Sequence, residues 1–301
     1  MKKLLYIYNP NAGRQRSREI LSSALEILSA QGYELTVFPT SGHGDARDAA
    51  QRMGASYDRI VCCGGDGTLN EVVTGLLALP EESRPVVGYL PMGSANDFAR
   101  NLNLPKSIAE QALVAATAEG HFVDIGDSSE HPFTYVTAFG LFTEVSYATP
   151  QNMKNMLGHF AYLLEGAGSL VSVPSYHMTI TGDGGQQIEG DFIYGMVGNT
   201  VSVGGVMSLP KDLVKTDDGE FEVLLVRKPR SLKDWQDIGH FITNLQIPRT
   251  GAVEAFTTRE ITFHCEEPVA WTVDGEFGGK RTDTVVKVLP RSIRVAYNPD
   301  N

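Results

Sequence analysis

The sequence predicts a two-domain α/β protein, with a parallel sheet covered by helices in the N-terminal domain and an antiparallel β-sandwich in the C-terminal domain. The length of 301 residues suits about two domains. Strand-like and helix-like segments alternate up to residue 119, and such alternation is typical of a parallel sheet covered on both faces. From residue 122 onward, short β-like runs separated by Gly, Asp or Pro dominate instead.

The elements of the N-terminal domain follow one another as strand and helix. Residues 3–8 are a short apolar run that stops at Asn9, and residues 17–31 carry Ile, Leu and Ala at helical spacing. By the same criteria, further strands are predicted at 33–40, 59–65 and 86–93, and further helices at 44–53, 69–79, 94–102 and 107–119.

The C-terminal half is enriched in Thr, Val, Ile, Tyr and Phe, which favour strands. Strands are predicted at 133–140, 175–182, 191–199, 219–226, 260–265, 269–276, 285–290 and 292–298. Amphipathic stretches at 152–172 and 231–245 interrupt them, and the first is either core or a site for lipid tails. The predicted domains are 1–125 and 126–290, with 291–301 as a candidate completion of the first.

Composition excludes several classes of protein. The chain is 42% hydrophobic and 20% charged, as expected for a folded globular protein. Its net charge of −11 argues against a general nucleic-acid binder, which needs many Lys and Arg contacts to phosphate. Three cysteines give no disulfide framework, which indicates a reducing, cytoplasmic compartment. The N-terminal apolar run is too short for a signal peptide, and no segment is long enough to span a membrane.

The sequence GGDGT at 64–68 lies between a predicted buried strand and a predicted helix. Its glycines allow close backbone approach, so the turn exposes amides to a nucleotide phosphate. It is not a P-loop, because no Lys-Ser/Thr pair follows, and Asn70 stands where a dinucleotide-binding motif has its third glycine. Asp66 beside a triphosphate would add repulsion unless Mg²⁺ lies between them, which favours a metal-linked carboxylate over a simple turn-former.

Two other turns end neighbouring predicted strands. YNPNAG at 8–13 is either a phosphate-contacting turn or an ordinary βα connection. In LPMGSANDFARNL at 90–102, Ser94 or Asn96 can cap a helix, and Asp97 is either a metal-linked carboxylate or a helix-dipole partner. Asp124 is a third acid able to reach this edge of the sheet. Ligands of open α/β sheets bind at this carboxyl edge, which favours the functional interpretation.

Two acidic turns lie in the predicted sandwich. In WTVDGEFGG at 271–279, the Asp-Gly pair is first of all a hairpin signal. Asp274 and Glu276 are therefore either turn residues or a carboxylate positioned to deprotonate a phosphoryl acceptor. KTDDGEFEV at 215–223 is either a solvated turn or a source of oxygen ligands for a hard cation.

Taken together, these motifs resemble the catalytic region of diacylglycerol kinases, in the branch of soluble bacterial lipid kinases related to sphingosine kinases. GGDGT alone is shared with NAD kinases and phosphofructokinase-like enzymes, whereas its combination with GSANDFAR and a late VDGE is specific. The resemblance covers nearly the whole chain and implies a phosphofructokinase-like nucleotide domain and a β-sandwich domain. It implies nucleotide contacts at Asn9, Pro10, Gly13, Thr40, Gly64, Gly65, Asp66, Gly67, Thr68, Asn70, Ser94 and Asn96.

The resemblance also implies the metal and catalytic residues. Asp66, Asp97 and Asp124 match the family's Mg²⁺–water network, and Glu276 matches the general base. Asp218, with the carbonyls of Lys215 and Glu220, matches a structural Mg²⁺ site, with Asp217 as a rival to Asp218.

The expected function is an ATP- and Mg²⁺-dependent lipid kinase of phospholipid metabolism that acts on diacylglycerol, with Asp66 and Glu276 as catalytic residues. The enzyme is expected to bind the membrane surface peripherally, through a basic face that includes Lys154 or the cluster Arg227, Lys228, Arg230 and Lys233. The alternatives are an NAD kinase-like enzyme and a non-catalytic lipid-binding protein of the same fold. A homodimer is left open, and no nucleic-acid partner is expected.

Overall fold

The computed structural model describes residues 1–13, 15–141, 173–200, 202–203, 207–208, 215–244 and 251–299. The chain divides into two compact units. The first unit consists of Met1–Ile125, Thr216–Asp218 and Leu289–Asn301, and the second of Gly126–Lys215 and Gly219–Val288. The sequence did not predict that 216–218 belong to the first unit, because a segment of three residues is too short to change the composition or the hydrophobic periodicity.

The strands of the first unit are short, and all of them except the edge strand β2 are largely buried. They are β1 (Lys2–Tyr8), β2 (Tyr33–Pro39), β3 (Arg59–Gly64), β4 (Val86–Pro91) and β5 (Gly120–Ser128), which continues into the second unit. β1 pairs in parallel with β2 and β3, and β3 pairs in parallel with β4. The end of the last strand, at Val295, pairs in parallel with Val87 of β4. The ends of β1, β3 and β4 therefore lie side by side at one edge.

Helices separate these strands along the chain. They are α1 (Arg16–Glu19), α2 (Leu21–Ala30), α3 (Asp45–Met53), α4 (Asp66–Leu77), α5 (Asp97–Asn101) and α6 (Ile108–Thr117), with 3-10 turns at Gly54–Ser56 and Glu81–Ser83. The single helix predicted at 17–31 is two pieces that meet at Ile20. The helix predicted from residue 94 begins instead at Asp97, because Asn96 adopts a left-handed φ of 53°.

The core of the first unit explains this arrangement. Leu4 and Tyr6 of β1 and Val61 of β3 lie in one cluster with Leu28 of α2 and Ala115 of α6, and all are buried. Small alanines let the helices approach the sheet closely. Gly88 of β4 shows the same constraint, since a Cβ there would lie 2.6 Å from that of Ala115. Continuous apolar strands are what a sheet covered by helices requires.

The second unit is rich in strands, as predicted. Its elements are β6 (Pro132–Phe133), β7 (Val136–Gly140), β8 (Tyr176–Gly182), β9 (Gln187–Gly198), β10 (Ser202–Val203), β11 (Met207–Ser208), β12 (Phe221–Arg227), α7 (Leu232–Asn244), β13 (Val253–Thr258), β14 (Glu260–Val273) and β15 (Glu276–Ala296). Among the described residues of this unit, every pairing that involves β7, β8, β9, β12, β13 or β14 is antiparallel. β8 and β7 occupy successive stretches between β9 and β14. The two-layer sandwich remains a prediction.

Four predicted C-terminal strands are in fact two long ones. The run 266–268 suggested a break, but a register shift between His264 and Val269 lets β14 continue through it. Pro290 and Arg291 likewise fall inside β15, where Arg291 takes a left-handed φ of 49°. Polar residues and proline are tolerated because the irregularity absorbs them.

The core of the second unit is aromatic. The ring centroids of Phe139 and Trp271 are 4.9 Å apart, and the ring centroids of Phe263 and Trp271 are 5.0 Å apart. The predicted amphipathic stretch at 231–245 is largely α7, whereas the one at 152–172 lies outside the described residues. In the part of the chain that the structure describes, no helix is long and apolar enough to cross a membrane.

Candidate active site

Three glycine turns meet where β1, β3 and β4 end. A Cβ added at Gly93, after β4, would lie 2.9 Å from Cα of Gly65, after β3. A Cβ added at Gly13, after β1, would lie 2.8 Å from the Met92 carbonyl oxygen, and Gly13 has a left-handed φ of 60°. Only glycine leaves room for such contacts. The three backbones therefore converge on one spot.

Backbone hydrogen bonds hold these turns in register. The amide of Asn9 donates to the Cys63 carbonyl at 2.9 Å, and the amide of Met92 donates to the Gly64 carbonyl at 2.7 Å. The amide of Thr40, after β2, donates to the Tyr8 carbonyl at 2.9 Å. Pro10, which follows Asn9 in the first turn, is buried.

The GGDGT turn leads directly into α4. Gly64 packs against Thr68, since a Cβ at Gly64 would lie 2.6 Å from that side chain. The Asn9 side-chain amide lies 3.5 Å from the Thr68 hydroxyl, which links the first and third strand ends. One turn further, the side-chain Oδ1 of Asn70 accepts from the Thr74 hydroxyl at 3.4 Å. Gly67 and Thr68 thus lie in the first turn of a 12-residue helix, where free amides and the helix dipole favour an anion.

Asp66 and Asp97 are brought together at this spot. Asp66 Oδ2 accepts from the Asp97 backbone amide at 3.3 Å, and Asp66 Oδ1 accepts from the Tyr89 hydroxyl at 3.4 Å. Both aspartates are buried, Asp97 at 2% exposure. The Asp97 carboxylate also lies 3.6 Å from the Arg100 guanidinium. Two acids separated by 31 positions in sequence therefore begin adjacent helices at the convergence of the turns.

Asn96 holds the third turn closed. Its Oδ1 accepts from the Gly93 amide at 2.7 Å, and its Nδ2 donates to the Gly93 carbonyl at 2.9 Å. Ser94, between them, is exposed. The side chain of Asn96 thus shapes the turn, and Ser94 is accessible to a ligand.

The two cysteines behind the GGDGT turn have no catalytic features. Cys62 and Cys63 are fully buried in β3. Burial raises the pKa of the Cys63 thiol to about 11 and raises that of Cys62 as well. Both are protonated at neutral pH and act as core residues rather than nucleophiles.

Asp124 lies in a second polar cluster of the first unit. Its side chain is fully buried, and its Oδ1 accepts from the Arg291 backbone amide at 2.6 Å. Its own amide donates to the Thr216 carbonyl at 2.8 Å. The guanidinium of Arg291 lies 3.8 Å from Asp217 and stacks over Phe122 at 4.5 Å. These bonds attach 216–218 and the chain end to β5.

The residues of the predicted structural Mg²⁺ site have separate environments. Lys215 and Asp218 are exposed. The Glu220 carboxylate accepts from the Thr257 hydroxyl at 2.9 Å and lies 3.5 Å from the Arg259 guanidinium. Asp217 is engaged by Arg291, so of the two adjacent aspartates Asp218 is the better candidate ligand.

Glu276 occupies the hairpin between β14 and β15 in the second unit. Asp274 and Gly275 form its two-residue turn, both with left-handed φ, of 48° and 80°. Glu276 pairs with Val273 as the closing pair, and its side chain is exposed. The predicted hairpin is confirmed, but Asp274 is buried at 6% exposure, unlike an ordinary turn residue.

Asp66 and Asp97 are two carboxylates of the first unit that suit a Mg²⁺ ion. Among the described residues there is no group of three or more His, Cys, Asp and Glu side chains able to hold a metal ion. An all-protein cage is therefore not seen in that part of the chain. Two neighbouring buried carboxylates at the start of two helices do suit Mg²⁺, which usually takes one or two carboxylates plus phosphates and waters.

Two contacts at these sites were missed by the sequence analysis. Tyr89 binds Asp66 from the middle of β4, and Thr134 binds Asp274 across 140 positions of sequence. Neither partner belongs to a motif. A polar tip on an otherwise apolar strand was the only available signal for Tyr89.

Comparison with known proteins identifies related sequences over both units. Residues 3–128 match the family model of the diacylglycerol kinase catalytic domain, and residues 136–297 match that of the YegS C-terminal NAD kinase beta sandwich-like domain. A diacylglycerol kinase from Staphylococcus aureus is 35% identical over 288 residues, which cover 93% of this chain and 87% of the relative. One from Staphylococcus haemolyticus is 34% identical over 301 residues, with 98% and 88% covered.

Solved structures agree with these matches. A crystal structure of a diacylglycerol kinase from Bacillus anthracis is 26% identical, with a TM-score of 0.77 over 99% of this chain and 98% of the other. A second crystal structure from that organism is 27% identical, with a TM-score of 0.83 and the same coverage.

Proposed function

Because the chain belongs to the diacylglycerol kinase family, we propose that this kinase transfers the γ-phosphate of ATP to the hydroxyl of diacylglycerol and so forms phosphatidic acid. The bond from the γ-phosphorus to the β–γ bridging oxygen breaks, and a bond to the lipid oxygen forms. ADP leaves, and the hydroxyl proton passes to a base. The observation that carries the proposal is the convergence of three glycine turns on Asp66 and Asp97.

The glycine turns are the proposed site for the phosphates of ATP. Phosphoryl transfer depends mainly on positioning and on stabilising negative charge. Backbone amides of the turns after β1 and β3, with the first turn of α4, are suited to both tasks. Asn9 and Thr68 are already linked and pre-organise this surface. Ser94 presents a further hydroxyl from the third turn.

Asp66 and Asp97 are the proposed holders of Mg²⁺. When bound, the ion would neutralise phosphate charge. Metal ligands bind best when their side chains are already held in place before the ion arrives, and these two side chains are. Asp66 is held by Tyr89 and by the Asp97 amide, and α4 and α5 start at the two acids themselves. Asp124 is proposed as a third member of the Mg²⁺–water network, with its Oδ1 held by the Arg291 amide.

Glu276 is the proposed general base. It is an exposed carboxylate at the end of a rigid two-residue hairpin, so a hydroxyl can reach it. The similarity to diacylglycerol kinases favours a lipid acceptor over NAD.

A basic face for the anionic membrane is proposed on the segment 227–233. Lys228, Arg230 and Lys233 are exposed, whereas Arg227 forms an ion pair with Glu254. Three rather than four cations of this cluster are therefore available to lipid headgroups. Lys154, the other candidate, lies outside the described residues.

The proposed reaction is tested by incubating the enzyme with γ-labelled ATP, Mg²⁺ and a panel of acceptors. The panel contains diacylglycerol, phosphatidylglycerol, a sphingoid base and undecaprenol in mixed micelles, with NAD in a separate reaction. We expect label in phosphatidic acid. Label in NAD alone would support the NAD kinase alternative. Lipid binding without label in any acceptor would support a non-catalytic protein and overturn the proposal.

A further inference from the structure

The buried carboxylate of Asp274 accepts four hydrogen bonds from one short segment. Its Oδ2 accepts from the Thr134 amide at 2.7 Å and from the Thr134 hydroxyl at 2.8 Å. Its Oδ1 accepts from the amides of Tyr135 at 3.0 Å and Val136 at 3.1 Å. Three consecutive backbone amides and a hydroxyl thus converge on a single side chain that is 6% exposed.

This arrangement requires a carboxylate. Each oxygen receives two donors, so the site demands two acceptor atoms and offers no acceptor to a donor on the side chain. An asparagine would turn an NH₂ group toward two of the four donors, whichever way its amide was flipped. Bonds to a charged acceptor are also shorter and stronger than those to a neutral one.

The same residue fixes the geometry of the hairpin. The Asp274 amide donates to the Val136 carbonyl at 2.8 Å, so backbone and side chain are both tied to the start of β7. Val273 pairs with Thr137 on one side and with Glu276 on the other. Glu276 is therefore two residues from an anchor with five hydrogen bonds, while its own side chain stays exposed.

We propose that Asp274 is the positioning residue for Glu276: its bonds to 134–136 hold the hairpin, and hence the base, in the orientation that takes the acceptor proton. This inference rests on the proposed role of Glu276. A simple turn signal does not need a buried carboxylate, because the second Asp-Gly turn of this unit, at Asp183, leaves its aspartate exposed with one bond, from the Arg259 amide at 3.3 Å.

The test is Asp274→Asn, with Asp183→Asn as the matched control. Asparagine adopts a left-handed φ at least as readily as aspartate, so the change leaves the turn and removes the anchor. We expect kcat for lipid phosphorylation to fall about 10- to 100-fold, the usual effect of misplacing a reacting group by about 1 Å. The KM for ATP should stay within about twofold, because no nucleotide contact is lost. Asp183→Asn should match the wild type in both constants.

A double-mutant cycle separates positioning from general destabilisation. If Asp274 acts through Glu276, the variant Asp274→Asn/Glu276→Gln should be no slower than Glu276→Gln alone. Additive losses, an unchanged kcat in Asp274→Asn, or a raised KM for ATP would each overturn the inference. Should Asp274→Asn fail to fold, Thr134→Val takes its place in the same double-mutant cycle, because it removes one of the four donors to Asp274. We then expect a fall in kcat of about 3- to 10-fold.

Failure of the proposed function would appear differently. An inactive wild type on every lipid removes the kinase proposal, and full activity in Glu276→Gln removes the base. Either result would also overturn the positioning role. A slow Glu276→Gln beside a fully active Asp274→Asn would remove the positioning role alone.

Discussion

Asp66 of GGDGT both begins α4 and places a fixed carboxylate at the proposed metal site. Its charge suits the N-terminus of α4, and its oxygens are fixed by Tyr89 and by the Asp97 amide. At the proposed phosphate site, a cation would relieve the repulsion between this buried carboxylate and the phosphates, since like charges at close range repel. The motif and its charge were predictable from sequence. The partners were not, because Tyr89 reaches Asp66 only after β3 and β4 have paired.

Replacing Asp66 with asparagine is expected to reduce kcat by a factor of about 100 or more, a typical loss when one electrostatic contact to transferring phosphate is removed. The Mg²⁺ concentration needed for half-maximal rate should rise at the same time. Steady-state kinetics across a Mg²⁺ titration measure both. Asp48→Asn is the control, because Asp48 is an exposed residue of α3 paired only with its neighbour Arg47 among the described ion pairs. A normal Mg²⁺ requirement in Asp66→Asn would refute its metal role.

The turns that follow β1, β3 and β4 act as one element. Their positions were predictable, since apolar runs that end in glycine before a helical pattern indicate βα turns. Their mutual contact was not, because only the fold brings Gly93 to Gly65. The boundaries of β14 and β15, by contrast, were predicted wrongly from the local sequence. Local polar residues at 266–268 suggested an end, but pairing with β15 carried the strand past them.

Gly93→Ala tests the contact between these turns. The new methyl group would lie 2.9 Å from Gly65 Cα and 2.8 Å from Asn96 Oδ1, so the turns must separate. Overpacking costs about 1–3 kcal/mol, and a loss of that size in ATP binding raises the KM for ATP about 5- to 150-fold. Gly42→Ala is the control, since its Cβ would meet nothing within 4 Å. An unchanged KM in Gly93→Ala would show that the turns do not form the nucleotide site.

At the scale of the whole molecule, the first unit is built from both ends of the chain. Residues 289–301 belong to it, with Val295 paired to Val87 of β4 and the Ser292 carbonyl accepting from Arg84 at 2.8 Å. The sequence analysis treated 291–301 as a candidate completion of the first domain. The excursion of 216–218 to Asp124 was not predictable, because it depends on backbone contacts that any residue type can make.

A chain that ends at residue 288 should therefore lose cooperative folding of the first unit. Ile293 and Val295 are each 1% exposed, and burying each is worth about 1.5–3 kcal/mol. The two together are worth about 3–6 kcal/mol, which reaches the lower end of the total stability of a domain, about 5–15 kcal/mol. Thermal unfolding followed by circular dichroism would measure it, with a chain ending at residue 298 as the control. Equal transitions in the two chains would contradict the shared fold.

A single-turnover measurement tests whether this kinase phosphorylates a lipid hydroxyl with Glu276 as the base, as we propose. Wild-type enzyme and Glu276→Gln, each preloaded with γ-labelled ATP and Mg²⁺, are mixed with diacylglycerol micelles, and labelled phosphatidic acid is followed over time. We expect rapid transfer by the wild type, and transfer at least about 100-fold slower by Glu276→Gln with unchanged ATP binding. Equal rates for the two proteins, or no labelled lipid from either, would contradict the claim.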